Sequence, residues 1–285
     1  MNRPQLYSKY SDLQKTDNTY VLEKFLDTSR FKDEDRILDV GCGDGNFSVE
    51  CLIPKLPQNF KNFVACDVSE KMLDFARTKY FLPKIKFVAL DIGAEEIPEE
   101  FENSFNHIYS FYTMHWVRRQ RKAFKNIYKM LAPGGDILFT FLANSSLYDI
   151  YQNMSKHERW SQHSVKEYIS PYHNLKHPEK RLEKLLQDIG FEVKVCKLVT
   201  RSFLFPSMEI FKNTITAVNP IVQKLHPDEV EEYNAGFLNE MKGMKSVIIE
   251  NVNNNGEKTI REIHQIFILV ATKPQNKKSD TSKLE

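Results

Sequence analysis

Ile37-Leu38-Asp39-Val40-Gly41-Cys42-Gly43-Asp44-Gly45-Asn46-Phe47 passes from an apolar run into three glycines within five positions and then turns amphipathic. That is the pattern of a strand, a tight turn and a helix start. Glycine permits backbone angles closed to other residues and leaves no side chain between the main chain and a ligand, so such a turn can cradle an adenosine-type molecule. A dinucleotide fingerprint requires a further glycine three positions after the second one, where this chain has Asn46. What stands instead is an acid at the strand end, Asp39, ahead of Gly-x-Gly-x-Gly. An acid there suits a cationic ligand better than a pyrophosphate. A plain strand-to-helix turn would read the same way, so the decision lies downstream.

Two further strands end in acids. Asn62-Phe63-Val64-Ala65-Cys66-Asp67 closes about twenty-five residues after the turn, where doubly wound folds place the carboxylate that accepts ribose hydroxyls. Ser69 then caps a helix carrying Met72, Leu73 and Ala76. Ile85-Lys86-Phe87-Val88-Ala89-Leu90-Asp91-Ile92 is the third strand, and residues 107–117 form a fourth that runs into a loop. If the sheet is parallel, Asp39, Asp67 and Asp91 meet in one crevice. A basic helix over 118–131 follows; its charges read as a solvated face. Leu131-Ala132-Pro133-Gly134-Gly135-Asp136 then turns into a fifth strand, 137–141.

The chain has 285 residues, enough for one large domain with a lid, and its 40 Lys plus Arg nearly balance 38 Asp plus Glu. No global field is available to hold a nucleic acid or to keep the protein on an anionic membrane. Residues 1–14 are polar, without a signal peptide, and no run approaches a membrane span, so a cytoplasmic protein is expected. Four scattered cysteines indicate neither disulfides nor zinc. His173 and His177 sit four apart in a loop context with Pro178, and read as loop histidines rather than metal ligands. Monomer and homodimer both remain open.

The organisation expected is an N-terminal lid helix (1–29, capped by Thr16 and Asp17), a ligand-binding half of an α/β core (30–141) and a loop and helix insert (142–180). The remaining sheet is placed at 181–199 and 263–272, around a helical substrate lid at 200–262. Helical stripes there run through Phe211, Ile215 and Val218 and through Tyr233, Phe237, Met241, Met244 and Ile248. They are core or the roof of an apolar pocket. Residues 273–285 are polar and expected to be disordered.

Asp39 with Gly-x-Gly-x-Gly, Asp67-x-Ser-x-x-Met-Leu and Leu-x-Pro-Gly-Gly together resemble the class I S-adenosylmethionine-dependent methyltransferases. The resemblance implies a Rossmann-like, mostly parallel seven-stranded sheet with helices on both faces and a helical lid. It implies S-adenosyl-L-methionine as cofactor, its amino acid end facing Asp39 and the turn Gly41, Cys42 and Gly43. Asp67 would hold the ribose, Val68 and Met72 would touch the adenine or ribose, Asp91 and Ile92 would flank the adenine amine, and Ser110 completes the set. Enzymes that methylate planar amines carry Asn/Asp-Pro-Pro-Tyr/Phe after the fourth strand. This chain has Thr113-Met114-His115-Trp116, which disfavours amine methylation.

The opening Asn2-x-Pro4-x-Leu6-Tyr7, with Gln14, Met114-His115-Trp116-Val117 and Ile169-Ser170-Pro171-Tyr172, is similar to the insect juvenile hormone acid methyltransferases along nearly the whole chain. That implies esterification of juvenile hormone acid or farnesoic acid, an apolar carboxylic acid held by Gln14 and Trp116 with His115 beside them. A carboxylic acid with a pKa of roughly 4 to 5 is already ionised at neutral pH, so no general base is needed. Neutral donors orient the anion and leave it nucleophilic. Alternatives are a methyltransferase of another small or fatty carboxylic acid, resembling the trans-aconitate enzymes, and a relative that binds ligand without catalysis.

Overall fold

The computed structural model describes residues 3–252, 256 and 258–275. Two short helices, α1 (Pro4–Lys9) and α2 (Asp12–Phe25), precede the core. The strands are β1 (Arg36–Val40), β2 (Asn62–Asp67), β3 (Ile85–Ala89), β4 (Phe105–Phe111), β5 (Leu131–Ser145), β6 (Glu192–Phe205), β7 (Val247–Val252) and β8 (Lys258–Thr272). The remaining helices are α3 (Glu70–Lys79), α4 (Gln120–Met130), α5 (Ser146–Met154), α6 (Pro178–Ile189), α7 (Met208–Val218) and α8 (Val230–Met241).

These strands form one sheet in the order β3-β2-β1-β4-β5-β8-β6, with β7 paired to β8. The run from β3 to β5 is parallel, and β8 is antiparallel to both β5 and β6. In β1, Ile37 faces one core while Leu38 and Val40 face the other. Burial on both faces explains why this strand is a continuous apolar run instead of an alternating one. Its register sets Asp39 beside Ala65 of β2 and Tyr109 of β4, so the acid sits mid-sheet at the carboxyl edge. The opposite edge is tied by buried His107, whose two ring nitrogens pair with Asp136 and Asp35 at 2.9 Å each.

The structure moves several expected boundaries. The sheet has eight strands, one more than expected, because β7 joins the far end of β8. β5 continues to Ser145 and β6 to Phe205, well past 141 and 199, because β8 runs alongside and supplies backbone partners to both. The helical part of the 200–262 segment is therefore α7 and α8. The second stripe stops at Met241, and Ile248 lies in β7, half-exposed. Thr16 and Asp17 are inside α2, not at its cap; Ser11 precedes the helix. Asp91 lies two residues beyond the end of β3. The tail at 276–285 and Asn2 lie outside the described residues. No helix among the described residues is long and apolar enough to cross a membrane.

Candidate active site

Three turns build the first cavity. The glycine turn holds Gly41, Gly43 and Gly45 at φ of 80°, 57° and 75°, and a Cβ on Gly41 would fall 2.0 Å from Thr113 Oγ1. Only glycine fits there. Asp67 is locked by two backbone N–H donors, Gly43 at 3.0 Å to Oδ2 and Ser69 at 2.8 Å to Oδ1, and a carboxylate keeps free lone pairs after two such bonds. Asp91 accepts from the Gly93 N–H at 2.8 Å. Together these turns line a cleft of about 450 Å³ with Val68, Met72 and Ile92. Val68 is 70% exposed, which is unusual for a valine and leaves an apolar surface for a flat ring to cover.

A smaller polar cavity adjoins the cleft, sharing Tyr7 and Gly41 with it and lined also by Cys42. Four buried oxygens in its lining have no partner among the described residues: Gln14 Oε1, Asn18 Oδ1, Asp39 Oδ1 and Asp44 Oδ2. All four are acceptors. Lys15 and Ser11 also line this cavity, yet these four oxygens stay unpaired, and unpaired buried acceptors suit a cation that brings N–H groups. The other Asp39 oxygen accepts from the Ser48 hydroxyl at 2.5 Å. Burial, and then the Asp67 charge against that hydrogen bond, leave the Asp39 carboxyl pushed up to about 7. Ser110 is the exception among the expected cofactor residues. Its hydroxyl is fully buried and donates to the Val40 carbonyl at 2.8 Å, tying β4 to β1 under the turn, away from the cleft lining.

A second, apolar cavity lies behind the cleft, enclosed by Leu142, Ile150, Phe205, Phe211 and Phe237. Tyr7, Tyr112, Trp116 and Val218 line both spaces and so form the neck between them. Gln14 and His115 reach the inner cavity too. The Met114–Trp116 turn is anchored by Met114, which is fully buried in the core, and by Gln120 Nε2, which donates to the Met114 and Val117 carbonyls at 2.7 and 2.6 Å. Tyr172, from the 169–172 stretch, in turn donates to Gln120 Oε1 at 3.1 Å. The His115 and Trp116 rings then sit 4.9 Å apart. His115 Nδ1 accepts from the Leu142 N–H at 3.3 Å, which assigns the proton to Nε2. Burial alone pulls its pKa down to about 3, so the ring is a neutral donor. No hydrogen bond engages the Trp116 indole N–H among the described residues.

One buried network holds both sides of this neck. Asp17 Oδ2 accepts from Tyr112 at 2.5 Å and pairs with His264 Nε2 at 2.6 Å, and Asp17 Oδ1 accepts from Arg201 at 2.9 Å. His264 Nδ1 pairs with Glu262 at 2.5 Å. Burial opposes a charged ring, but the Glu262 charge and the bonds to Asp17 and Glu262 outweigh it, leaving the His264 pKa pushed up to about 10. Asp17 shares α2 with Gln14, one turn away, while Tyr112, at φ of 57°, begins the loop that carries Trp116. Sequence reading missed this network, because Asp17 and His264 are 247 residues apart.

Four of the charges on α4 and just before it are paired within the chain, Arg119 and Lys122 with Glu95, Arg121 with Asp188 and Lys129 with Glu102, while Arg118 donates to the Ile169 carbonyl. His173 pairs with Asp149 at 3.0 Å, and no cluster suited to a metal ion occurs among the described residues.

A model of the methyltransferase domain family matches residues 13–194. The juvenile hormone acid O-methyltransferase of Bombyx mori is 32% identical over 90% of this chain and 91% of its own length. That of Drosophila melanogaster is 30% identical over 96% and 93%. Among solved structures, the YcgJ protein of Bacillus subtilis superposes with a TM-score of 0.59 over 90% of this chain and 99% of its own, at 13% identity, a likeness of fold alone.

Proposed function

The chain belongs to the juvenile hormone acid O-methyltransferases within the methyltransferase domain family, and from that premise we propose that its inner cavity takes a sesquiterpenoid acid, juvenile hormone acid or farnesoic acid, for conversion to the methyl ester. The enzyme is an S-adenosylmethionine-dependent carboxyl methyltransferase. When bound, the cofactor supplies an electrophilic methyl group on a sulfonium.

The cleft suits that cofactor: Asp67 for the ribose, Val68 and Met72 for the rings, Asp91 and Ile92 at the adenine amine, and the four orphan acceptors around Asp39 for the ammonium. Gly41, Cys42 and Gly43 bring backbone instead of bulk to its amino acid end. On the acceptor side, Gln14, Trp116 and His115 offer neutral donors to a carboxylate. The observation that carries the reading is the lining of the inner cavity, which includes neither lysine nor arginine among the described residues. Its two charged groups, Glu262 and His264, already satisfy each other. A polyanion such as trans-aconitate would be left without counter-charges, whereas an apolar monoacid would lose little on desolvation. Enclosure also favours the reaction, since a carboxylate and a sulfonium lose charge as they combine, and alignment alone supplies on the order of 7 to 11 kcal/mol of barrier reduction. The inner cavity leaves about 60 Å³ free. Ordinary ligand pockets begin at roughly 300 Å³, so its walls must yield to admit the chain.

The test is methyl ester formation, scored by mass, from farnesoic acid, juvenile hormone acid, a saturated fatty acid and trans-aconitate in separate reactions. Ester from the first two alone is expected. Ester from trans-aconitate in preference would remove the sesquiterpenoid assignment.

Asp39 adds a pH dependence. Its carboxyl, held up to about 7 by burial, keeps a proton in the free folded protein that the unfolded chain has already lost above about 4. The stability this contributes is present below pH 4 and is lost as pH rises through 7. An ammonium beside Asp39 reverses the preference, so cofactor affinity should fall as pH drops below 7, with about one proton released on binding. Calorimetry in buffers of different ionisation enthalpy reads that proton. Asp39→Asn should abolish both effects, and a flat affinity from pH 5 to 8 in the unaltered protein would exclude the pairing.

A further inference from the structure

Tyr148, on α5, is fully buried, lines the inner cavity, and its hydroxyl has no partner among the described residues. Its ring is held at 5.1 Å against His173 in a T-shaped contact, and His173 is itself fixed by Asp149, so the hydroxyl does not swing to find a bond elsewhere. Glu262, a charged group in the same lining, is taken: it accepts from Ser145 at 3.1 Å and pairs with His264. The same cavity is lined by Ile150, Phe205, Phe211 and Phe237, and the hydroxyls of Ser145, Ser146 and Thr214 that also line it make no bond to Tyr148. A buried donor in an apolar wall costs stability unless the ligand completes its hydrogen bond.

Its place in the cavity narrows what that ligand group is. The neck residues Tyr7, Tyr112, Trp116 and Val218 line both spaces, and the carboxylate must react there. Tyr148 lines the inner space only, beyond the neck. Resting on the carboxyl methyltransferase reading above, we propose that the Tyr148 hydroxyl donates a hydrogen bond to an oxygen atom carried on the hydrocarbon chain of the acid, away from its carboxylate. The inner cavity thereby selects oxygenated apolar acids, with an epoxide, ketone or hydroxyl on the chain, over plain hydrocarbon acids. Burial first, and the Glu262 charge second, hold the phenol far above its ordinary pKa, so it stays a donor across the working pH range.

The probes are farnesoic acid and its epoxide, juvenile hormone acid, compared by kcat/KM in the unaltered protein and in Tyr148→Phe, with S-adenosylmethionine affinity by calorimetry as the control of folding. The unaltered protein should prefer the epoxide. Tyr148→Phe should lose about five- to tenfold on the epoxide and change less than about twofold on farnesoic acid. Equal losses on both acids, or no loss on either, would overturn the subsite and leave the carboxyl methyltransferase reading standing. So would an unaltered protein that treats the two acids alike, which needs no variant to fold. An unaltered protein that binds cofactor and esterifies neither acid would overturn the substrate reading and the subsite with it.

Discussion

Gly41→Ala is expected to lower cofactor affinity by about a hundredfold and to leave almost no methyl transfer. The position combines two obstacles: φ of 80°, and a Cβ that would stand 2.0 Å from Thr113 Oγ1 and 2.6 Å from Thr113 Cβ. A left-handed backbone costs an L-residue about 1–2 kcal/mol and overpacking about 1–3 kcal/mol. Neither neighbour yields easily. Thr113 Oγ1 donates to the Gly41 carbonyl at 3.1 Å, and Tyr112 just before it is pinned by Asp17. Strain that shifts the glycine turn therefore also shifts the loop bearing His115 and Trp116, so cofactor and acceptor sites fail together. Gly43→Ala is a useful contrast, because its Cβ would meet only Met72 at 3.5 Å and Tyr7 at 3.7 Å. Calorimetric affinity together with thermal unfolding checks the pair. An alanine at 41 with ordinary affinity and turnover would mean that the turn is not the cofactor cradle.

Trp116→Ala is expected to reduce kcat by about a hundred- to a thousandfold while S-adenosylmethionine affinity stays within about threefold. Removing the indole opens the neck, admits water and deletes a donor. Trp116→Phe separates these effects, since it keeps a ring against His115 and loses the N–H; about a tenfold loss is expected from the missing donor. Gln14→Ala should act in the same direction. Single-turnover rates with saturating cofactor would read the difference. If Trp116→Phe turns over normally, the indole N–H does not hold the acceptor, and the tryptophan serves as packing.

The cleft and its turns were legible because their signals are local. A strand end and the turn that follows it lie within ten residues, so Asp39 and Asp67 could be placed from the chain alone, and parallel pairing brought them to one edge. Ser110 misled because strand residues alternate between faces and nothing local says which face a serine takes. On α2 the buried stripe is Gln14, Asp17, Asn18, Val21 and Leu22, a helical spacing whose first half is polar. Periodicity of apolar residues cannot reveal such a stripe. Asp17 looked like a cap because its partners, Arg201 and His264, are on distant strands. The same limit hid the ends of β5 and β6, whose last residues owe their extension to β8 and not to their own pattern.

The Asp17–His264 pair has a consequence for how the protein is made. Ribosomes deliver α2 early and β8 late, and the two meet across 247 positions of chain. Until β8 arrives, Asp17 has no imidazolium to receive it, and the acceptor of the Tyr112 hydroxyl is not held in place. Domains generally fold as units. Here β8 acts as the key that seats α2, so the neck takes its final form only once strands near the two ends of the described chain have met.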